Sequence, residues 1–385
     1  MLRNIIIFTF LISCLRIPTK PPEQHFKLYG TDRDDNAYSI IEAPDKNLVL
    51  VGWYGSMEMD DPATWRMFII KVSPNGDEIW SKIYYELNLR ETLGAVGYED
   101  GIIAVSNSLR GDTIYLTKLD YNGNIIWDKA YVFPNGGGWG SDNFMTMTRV
   151  SKTKDGGIAV TGTICTPYVK GMVMLLKADK NGNVELVRNL GFVTCRVDSY
   201  PSEMGDAILQ TSDGGYLIGA WGKDTITKTE TYYTLKTDSL GNILWIKTYP
   251  HRPPSKFLED EDGYVVCITG GEGIRVMKLD KNGNEIWSKR LEGMDTVCEK
   301  TPDGGYIIAS SYLYYVNFYK LDRNGNIIWG PRQYSTASFM PQGLIRSSDN
   351  YYYLVGFANP IPSKGPKDAA DFFLMKIDEN GNPGF

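Results

Sequence analysis

Histidine is nearly missing from this 385-residue chain: only His25 and His251 occur, so a metal centre built from several imidazoles is out of reach. A Ser-His-Asp triad would have to draw on one of them, and no nucleophile-elbow pattern accompanies His251. Long apolar runs are also lacking. The run 5–12 falls far short of the roughly 20 residues that cross a bilayer, and nothing later comes close. Nor is there a basic excess: 40 Lys+Arg stand against 46 Asp+Glu, a net charge of −6, which argues against a partner made of nucleic acid. Helical periodicity is absent throughout. What remains is 42% hydrophobic and rich in turn formers, with 40 Gly that follow no three-residue period, so the body is globular rather than disordered or collagenous.

Residues 1–14 have one positive charge, a short apolar stretch and then Ser13-Cys14, the layout of an export signal. The stretch Leu11-Ile12-Ser13-Cys14 resembles a bacterial lipobox, which implies lipidation at Cys14; the alternative is an ordinary secretory signal in which Cys14 is incidental. Residues 15–24, with Pro18, Pro21 and Pro22, read as a tether, and the expected location is extracytoplasmic, secreted or lipid-anchored at a membrane surface.

The body repeats. A turn glycine recurs at Gly76, Gly123, Gly182, Gly241, Gly283, Gly325 and Gly381, and five positions before each stands Lys71, Lys118, Lys177, Lys236, Lys278, Lys320 or Lys376. Three positions before it is an Asp in every copy but the first, where Ser73 stands. Four positions after it come Trp80, Trp127, Trp245, Trp287 and Trp329, with Leu186 and Phe385 in the other two copies. An upstream turn completes each unit, clearest at Asp155-Gly156-Gly157, Asp213-Gly214-Gly215 and Asp303-Gly304-Gly305. Both turns call for residues that tolerate positive φ, and β-rich runs flank them, so each unit predicts four strands, A to D. In the fourth unit these fall near 206–210, 216–220, 232–237 and 243–249.

Repeated four-stranded antiparallel sheet is the pattern of a β-propeller. The seventh unit stops after strand C, while Phe26-Lys27-Leu28-Tyr29 repeats the strand D signature of Ser81-Lys82-Ile83-Tyr84. The all-β expectation is therefore seven blades over residues 25–385 as one domain, with residues 25–29 completing the last blade and removing its exposed edge. The arrangement Leu279-Asp280-x-x-Gly283-x-x-x-Trp287, also at 119–127 and 321–329, resembles the tryptophan-docking repeat of quinoprotein-like propellers. The fuller Asp-Gly-Gly-Tyr and Lys-x-Asp-x-Asn-Gly unit looks like that of secreted repeat propellers of bacteria and archaea, a likeness that speaks to fold and not to activity.

The five repeat tryptophans, Trp80, Trp127, Trp245, Trp287 and Trp329, are expected to pack between blades. The repeated Lys and Asp suggest an ion pair or a turn contact. An EF-hand loop needs Gly at its sixth position, whereas 280–284 has it at the fourth; the acidic groups 32–35 and 58–61 are better metal candidates than that run but read as solvated carboxylates, and no metal is expected. Four cysteines remain after Cys14: a link between Cys165 and Cys195 is conceivable, and Cys267 reads as a buried small apolar residue. The adjacent-cysteine pair of some quinoprotein dehydrogenases is missing, and no cofactor is expected.

Short A–B and C–D turns would share one face of the disc, leaving the variable B–C and D–A connections on the other. The non-repeat tryptophans Trp53, Trp65, Trp139 and Trp221 fall in or beside those connections, as do Tyr168, Arg196 and Arg252. These are the candidate binding residues, because loops on a rigid scaffold carry recognition and aromatics supply contact area. No catalytic residue is singled out. The expected function is a monomeric, non-enzymatic binding propeller for a protein or glycan. The alternatives are an extracellular polysaccharide hydrolase or lyase using loop carboxylates, and an envelope-assembly scaffold resembling the propeller lipoprotein of outer-membrane protein assembly.

Overall fold

The computed structural model describes residues 25–31, 33–55, 65–108, 113–132, 145–166, 169–191, 203–223, 229–249, 252–270, 273–334, 337–360 and 370–385. Among them there is no helix. The strands form seven four-stranded antiparallel sheets, the blades of a β-propeller. Blade 4 holds Glu203–Gln210, Tyr216–Lys223, Glu230–Thr237 and Ile243–Tyr249 as strands A to D, close to the spans expected from its turns. Blade 7 is Ala337–Arg346, Tyr352–Pro360 and Asp371–Ile377. Its fourth strand is Phe26–Tyr29, paired antiparallel with Phe26 opposite Met375 and Tyr29 opposite Phe372. The ring is closed by the first described strand.

Burial explains why the strands read as they do. Strands B and C sit between neighbouring blades and are covered on both faces, so Gly263–Ile268 and Thr113–Leu119 are buried from end to end. Strand D lies at the rim, and Ile125–Val132 alternates half-buried with exposed. Seven apolar clusters fill the spaces between blades, one for each neighbouring pair. The cluster between blades 7 and 1 joins Tyr29, Leu50, Phe68, Tyr353, Phe372 and Leu374, so the closing seam is packed like the other six.

The repeat tryptophans dock across these interfaces. Trp287 of blade 5 lies over the turn of blade 6: its indole donates to the Arg323 carbonyl at 3.2 Å, and a Cβ placed on Gly325 would stand 2.6 Å from the ring. Gly325 also has φ +80°, so both the turn and the docking ring demand glycine. Trp245 donates likewise to Lys281. Strand D tyrosines reinforce the contact, with Tyr29, Tyr84 and Tyr334 donating to the carbonyls of Gly76, Gly123 and Gly381 at 2.7, 3.0 and 2.6 Å.

The repeated Lys and Asp do not pair with each other. Each lysine is almost buried and reaches the aspartate of the upstream A–B turn: Lys71 meets Asp45 at 2.6 Å, Lys177 meets Asp155 at 2.6 Å, and Lys236 meets Asp213 at 3.0 Å. Lys118, Lys278, Lys320 and Lys376 do the same with Asp100, Asp262, Asp303 and Asp349. The downstream aspartate instead closes its own turn. Asp280 accepts from the backbone N–H groups of Asn282 and Asn284, each at 2.8 Å. One blade thus binds its two turns through an ammonium that burial would otherwise leave costly.

Two expectations need correction. Cys267 is fully buried, but as half of a disulfide with Cys298 that ties strand B of blade 5 to strand A of blade 6. Cys195, its other proposed use being a link to Cys165, lies outside the described residues. Asp35, in the acidic group read as solvated, is 0% exposed, because its strand enters the disc beneath the 370–371 segment, where its N–H donates to the Ala370 carbonyl at 2.7 Å.

Candidate binding cleft at the mouth of the central channel

Strand A lines the axis of the disc, and six of the seven inner strands carry a β-bulge at a matching point. The extra residue is Tyr38, Leu93, Thr148, Asp206, Ser255 or Gln342. A bulge leaves its extra residue out of the ladder and re-aims the neighbouring side chains. Arg149, next to one bulge in blade 3, donates to Gln342 Oε1 of blade 7 at 3.2 Å, a bond between blades that are not neighbours. This contact crosses the axis of the ring.

Above it, on the B–C and D–A side, a cleft of about 440 Å³ opens between blades 4 and 5. It is lined by Arg149, Asp206, Trp221, Glu230, Tyr232, Arg252, Pro253, Pro254, Ser255 and Thr269. Trp221 ends strand B of blade 4, and Glu230 and Tyr232 begin its strand C, where the Tyr232 hydroxyl donates to the Glu230 carboxylate. Arg252 arrives on the D–A connection, followed by two prolines whose fixed φ stiffens the wall. The Ser255 hydroxyl is already spent on the carbonyls of Cys267 and Thr296, at 3.2 and 2.9 Å.

Charge in this cleft is held against burial. Burial pushes the Asp206 carboxyl up to about 6, although Arg149 pulls the other way. Outside the cleft lining, Glu91 on the inner strand Arg90–Tyr98 of blade 2 is pushed by burial to about 7. Burial, then Glu91, raise the Tyr38 hydroxyl, while Arg149 lowers it, so groups from blades 1, 2 and 3 feel one another across the axis. A perturbed acid at a cleft is a physical mark of a functional site, and in this cleft that acid is Asp206.

Of the residues singled out in the sequence, the structure brings Trp221 and Arg252 into this cleft. Trp53 is elsewhere: it is 2% exposed and stacks on Trp65 with centroids 5.1 Å apart, so it has no open face for a ligand. Trp139, Tyr168 and Arg196 lie outside the described residues, as does Cys14. Sequence reasoning missed Arg149, Asp206, Glu230 and Tyr232. The available signal was an ionisable residue at or beside the inner-strand bulge, a position that register reveals and spacing does not.

A larger cavity, about 670 Å³, lies on the opposite face among the short turns, lined by Tyr98, Asp100, Lys118, Lys152 and Lys154 among others. Its polar groups serve the repeat. Lys118 is paired with Asp100, Lys154 donates to the Ser212 carbonyl, and Lys152 sits 4.5 Å over the Tyr98 ring. The smaller cleft is the better candidate, because it departs from the repeat and keeps acid groups turned toward open space.

No protein-family model matches the chain, and no curated protein does. Solved structures resemble it in fold. They include a streptogramin B lyase at 10% identity and TM-score 0.55, over 91% of this chain and 96% of that one. A hydrazine synthase from Kuenenia stuttgartiensis aligns at 11% identity and TM-score 0.54, over 92% and 98% of the two chains. A puromycin hydrolase aligns at 13% identity and TM-score 0.54, over 91% of this chain and 53% of its own. At such identities the likeness concerns the propeller alone.

Proposed function

We propose that the protein is an exported propeller that binds a ligand, a protein segment or a glycan, in the cleft between blades 4 and 5. The observation that supports this most is the convergence there of Trp221 and Arg252 with Asp206 and Arg149 from the inner strands. Its volume of about 440 Å³ lies within the usual range of ligand sites. In this reading residues 1–14 act as the export signal, Cys14 is the lipidation point and 15–24 is the tether, so a monomeric disc is held at a membrane surface; that part rests on the sequence pattern. The test is a binding screen of the chain lacking residues 1–14 against glycans and envelope proteins, repeated with Trp221→Ala and Arg252→Ala together. Ligands retained by the wild type and lost by the variant support the cleft; retention by both removes it.

A second reading is favoured by one feature, the Asp206 carboxyl raised to about 6 with Glu230 in the same cleft. Such a group could protonate a leaving oxygen, as a glycoside hydrolase requires. Release of reducing ends from oligosaccharides, abolished in Asp206→Asn, would establish it; intact oligosaccharides after prolonged incubation would dismiss it.

A further inference from the structure

We infer that the cleft takes a neutral, hydroxyl-rich glycan, with a sugar ring laid on Trp221 and its hydroxyls donating to Asp206. This rests on the binding reading above and narrows it to one ligand class. Three observations carry it.

The first is charge. Asp206 and Glu230 bring two carboxyls to the cleft, and Arg149 and Arg252 bring two guanidiniums. A uronate would meet both acids as well as both arginines, and a basic peptide the reverse, so the cleft has no net charge that favours a ligand of either sign. A neutral polyol can instead donate to the carboxyls and accept from the guanidiniums.

The second is Asp206 itself. Among the described residues it makes no hydrogen bond, and the one charge that acts on it is that of Arg149. Its strand neighbours are committed to the ladder, with Gly205 opposite Ala220 and Ala207 opposite Gly219, while the bulge leaves Asp206 out of register. A half-buried carboxyl with no hydrogen bond of its own gains most from donors brought by a ligand. Sugar hydroxyls are such donors.

The third is the aromatic wall. Trp221 and Tyr232 stand opposite each other on strands B and C of blade 4, so their side chains share one face. Both are half-buried and border the cleft. The Tyr232 hydroxyl is held by Glu230, which keeps that ring in place. Flat apolar rings edged by hydrogen-bonding groups match the C–H face and hydroxyl rim of a pyranose.

The experiment titrates the chain lacking residues 1–14 with neutral hexasaccharides (cellohexaose, maltohexaose, mannohexaose, xylohexaose), with hexagalacturonate and with hexalysine, following binding by calorimetry. We expect at least one neutral hexasaccharide to bind about ten-fold or more tightly than either charged probe. Trp221→Ala and Asp206→Ala should each weaken it about ten-fold or more, while Trp221→Phe stays close to wild type. Thermal melting of each variant confirms that the disc is intact. Preference for hexagalacturonate or hexalysine, lost in Trp221→Ala, overturns the neutral-glycan inference and leaves the cleft reading standing. Neutral binding indifferent to both substitutions overturns both. Failure of every probe to bind overturns the inference.

Discussion

Replacing Asp35 by Asn should stabilise the protein at pH 8 and leave it unchanged near pH 3. Asp35 is the second residue of strand A of blade 1, is 0% exposed, and accepts from the Thr31 N–H at 2.6 Å through Oδ2, while Oδ1 has no hydrogen-bond partner among the described residues. Burial raises its carboxyl from 3.8 to about 7; the Thr31 hydrogen bonds oppose that, and Asp371 and Asp34 add to it. The native group therefore stays protonated over a range in which the unfolded chain has already ionised. Stability is fully present below about pH 4 and is lost as pH rises through about 7. A shift of about three units at 1.36 kcal/mol each comes to about 4 kcal/mol at pH 8. An amide keeps the bond from Thr31 and carries no charge, so the variant should escape that loss. For the roughly 300 described residues this is a rise in Tm of about 6 °C at pH 8. Urea unfolding of wild type and variant from pH 3 to pH 8 measures the difference directly. A gap that does not widen between pH 4 and pH 7, or a variant less stable at pH 8, would refute the assignment of a buried, ionisable Asp35.

Three further outcomes follow from the repeat and the ring. Asp213→Ala strips the ion-pair partner from Lys236, which is 2% exposed, and should cost about 1–3 kcal/mol, whereas Lys236→Met should cost less; paired melting curves compare them. Removing residues 1–31 takes away the fourth strand of blade 7 and bares the edge of Asp371–Ile377, so size-exclusion chromatography should show oligomers and a lower Tm; a stable monomer would speak against closure by Phe26–Tyr29. Cys267→Ala with Cys298→Ala opens a link with a sequence separation of 31, worth about 3–4 kcal/mol by loop entropy, and denaturant midpoints with and without reductant should agree with that figure.

The turn aspartates work in the opposite sense to Asp35. Lys320 and the Thr301 hydroxyl draw Asp303 down to about 2, so its contribution is present above about pH 4 and lost as pH falls through about 2. The raised Asp35, Glu91 and Asp206 act the other way, their contributions lost as pH rises through about 7, 7 and 6.

Much of the architecture could be read along the chain, because each blade restates it. A glycine at positive φ, a lysine five residues earlier and a tryptophan four residues later recur in fixed order, and a local turn depends only on its own few residues. Even closure was legible, since a strand D motif stood at the wrong end of the repeat. The side on which the variable loops emerge followed from that.

The rest depends on contacts between residues that no spacing relates. Lys236 could have met either of two aspartates, and burial of its ammonium beside the A–B turn settles on Asp213. Cys267 finds Cys298 because a blade interface sets strand B against the next strand A. The cleft needs residues from three blades, near 149, 206–232 and 252, and a one-residue bulge turns Asp206 out of the ladder. Local patterns are written in order along a chain; the partner of a buried charge is settled by which surfaces the closed ring presses together.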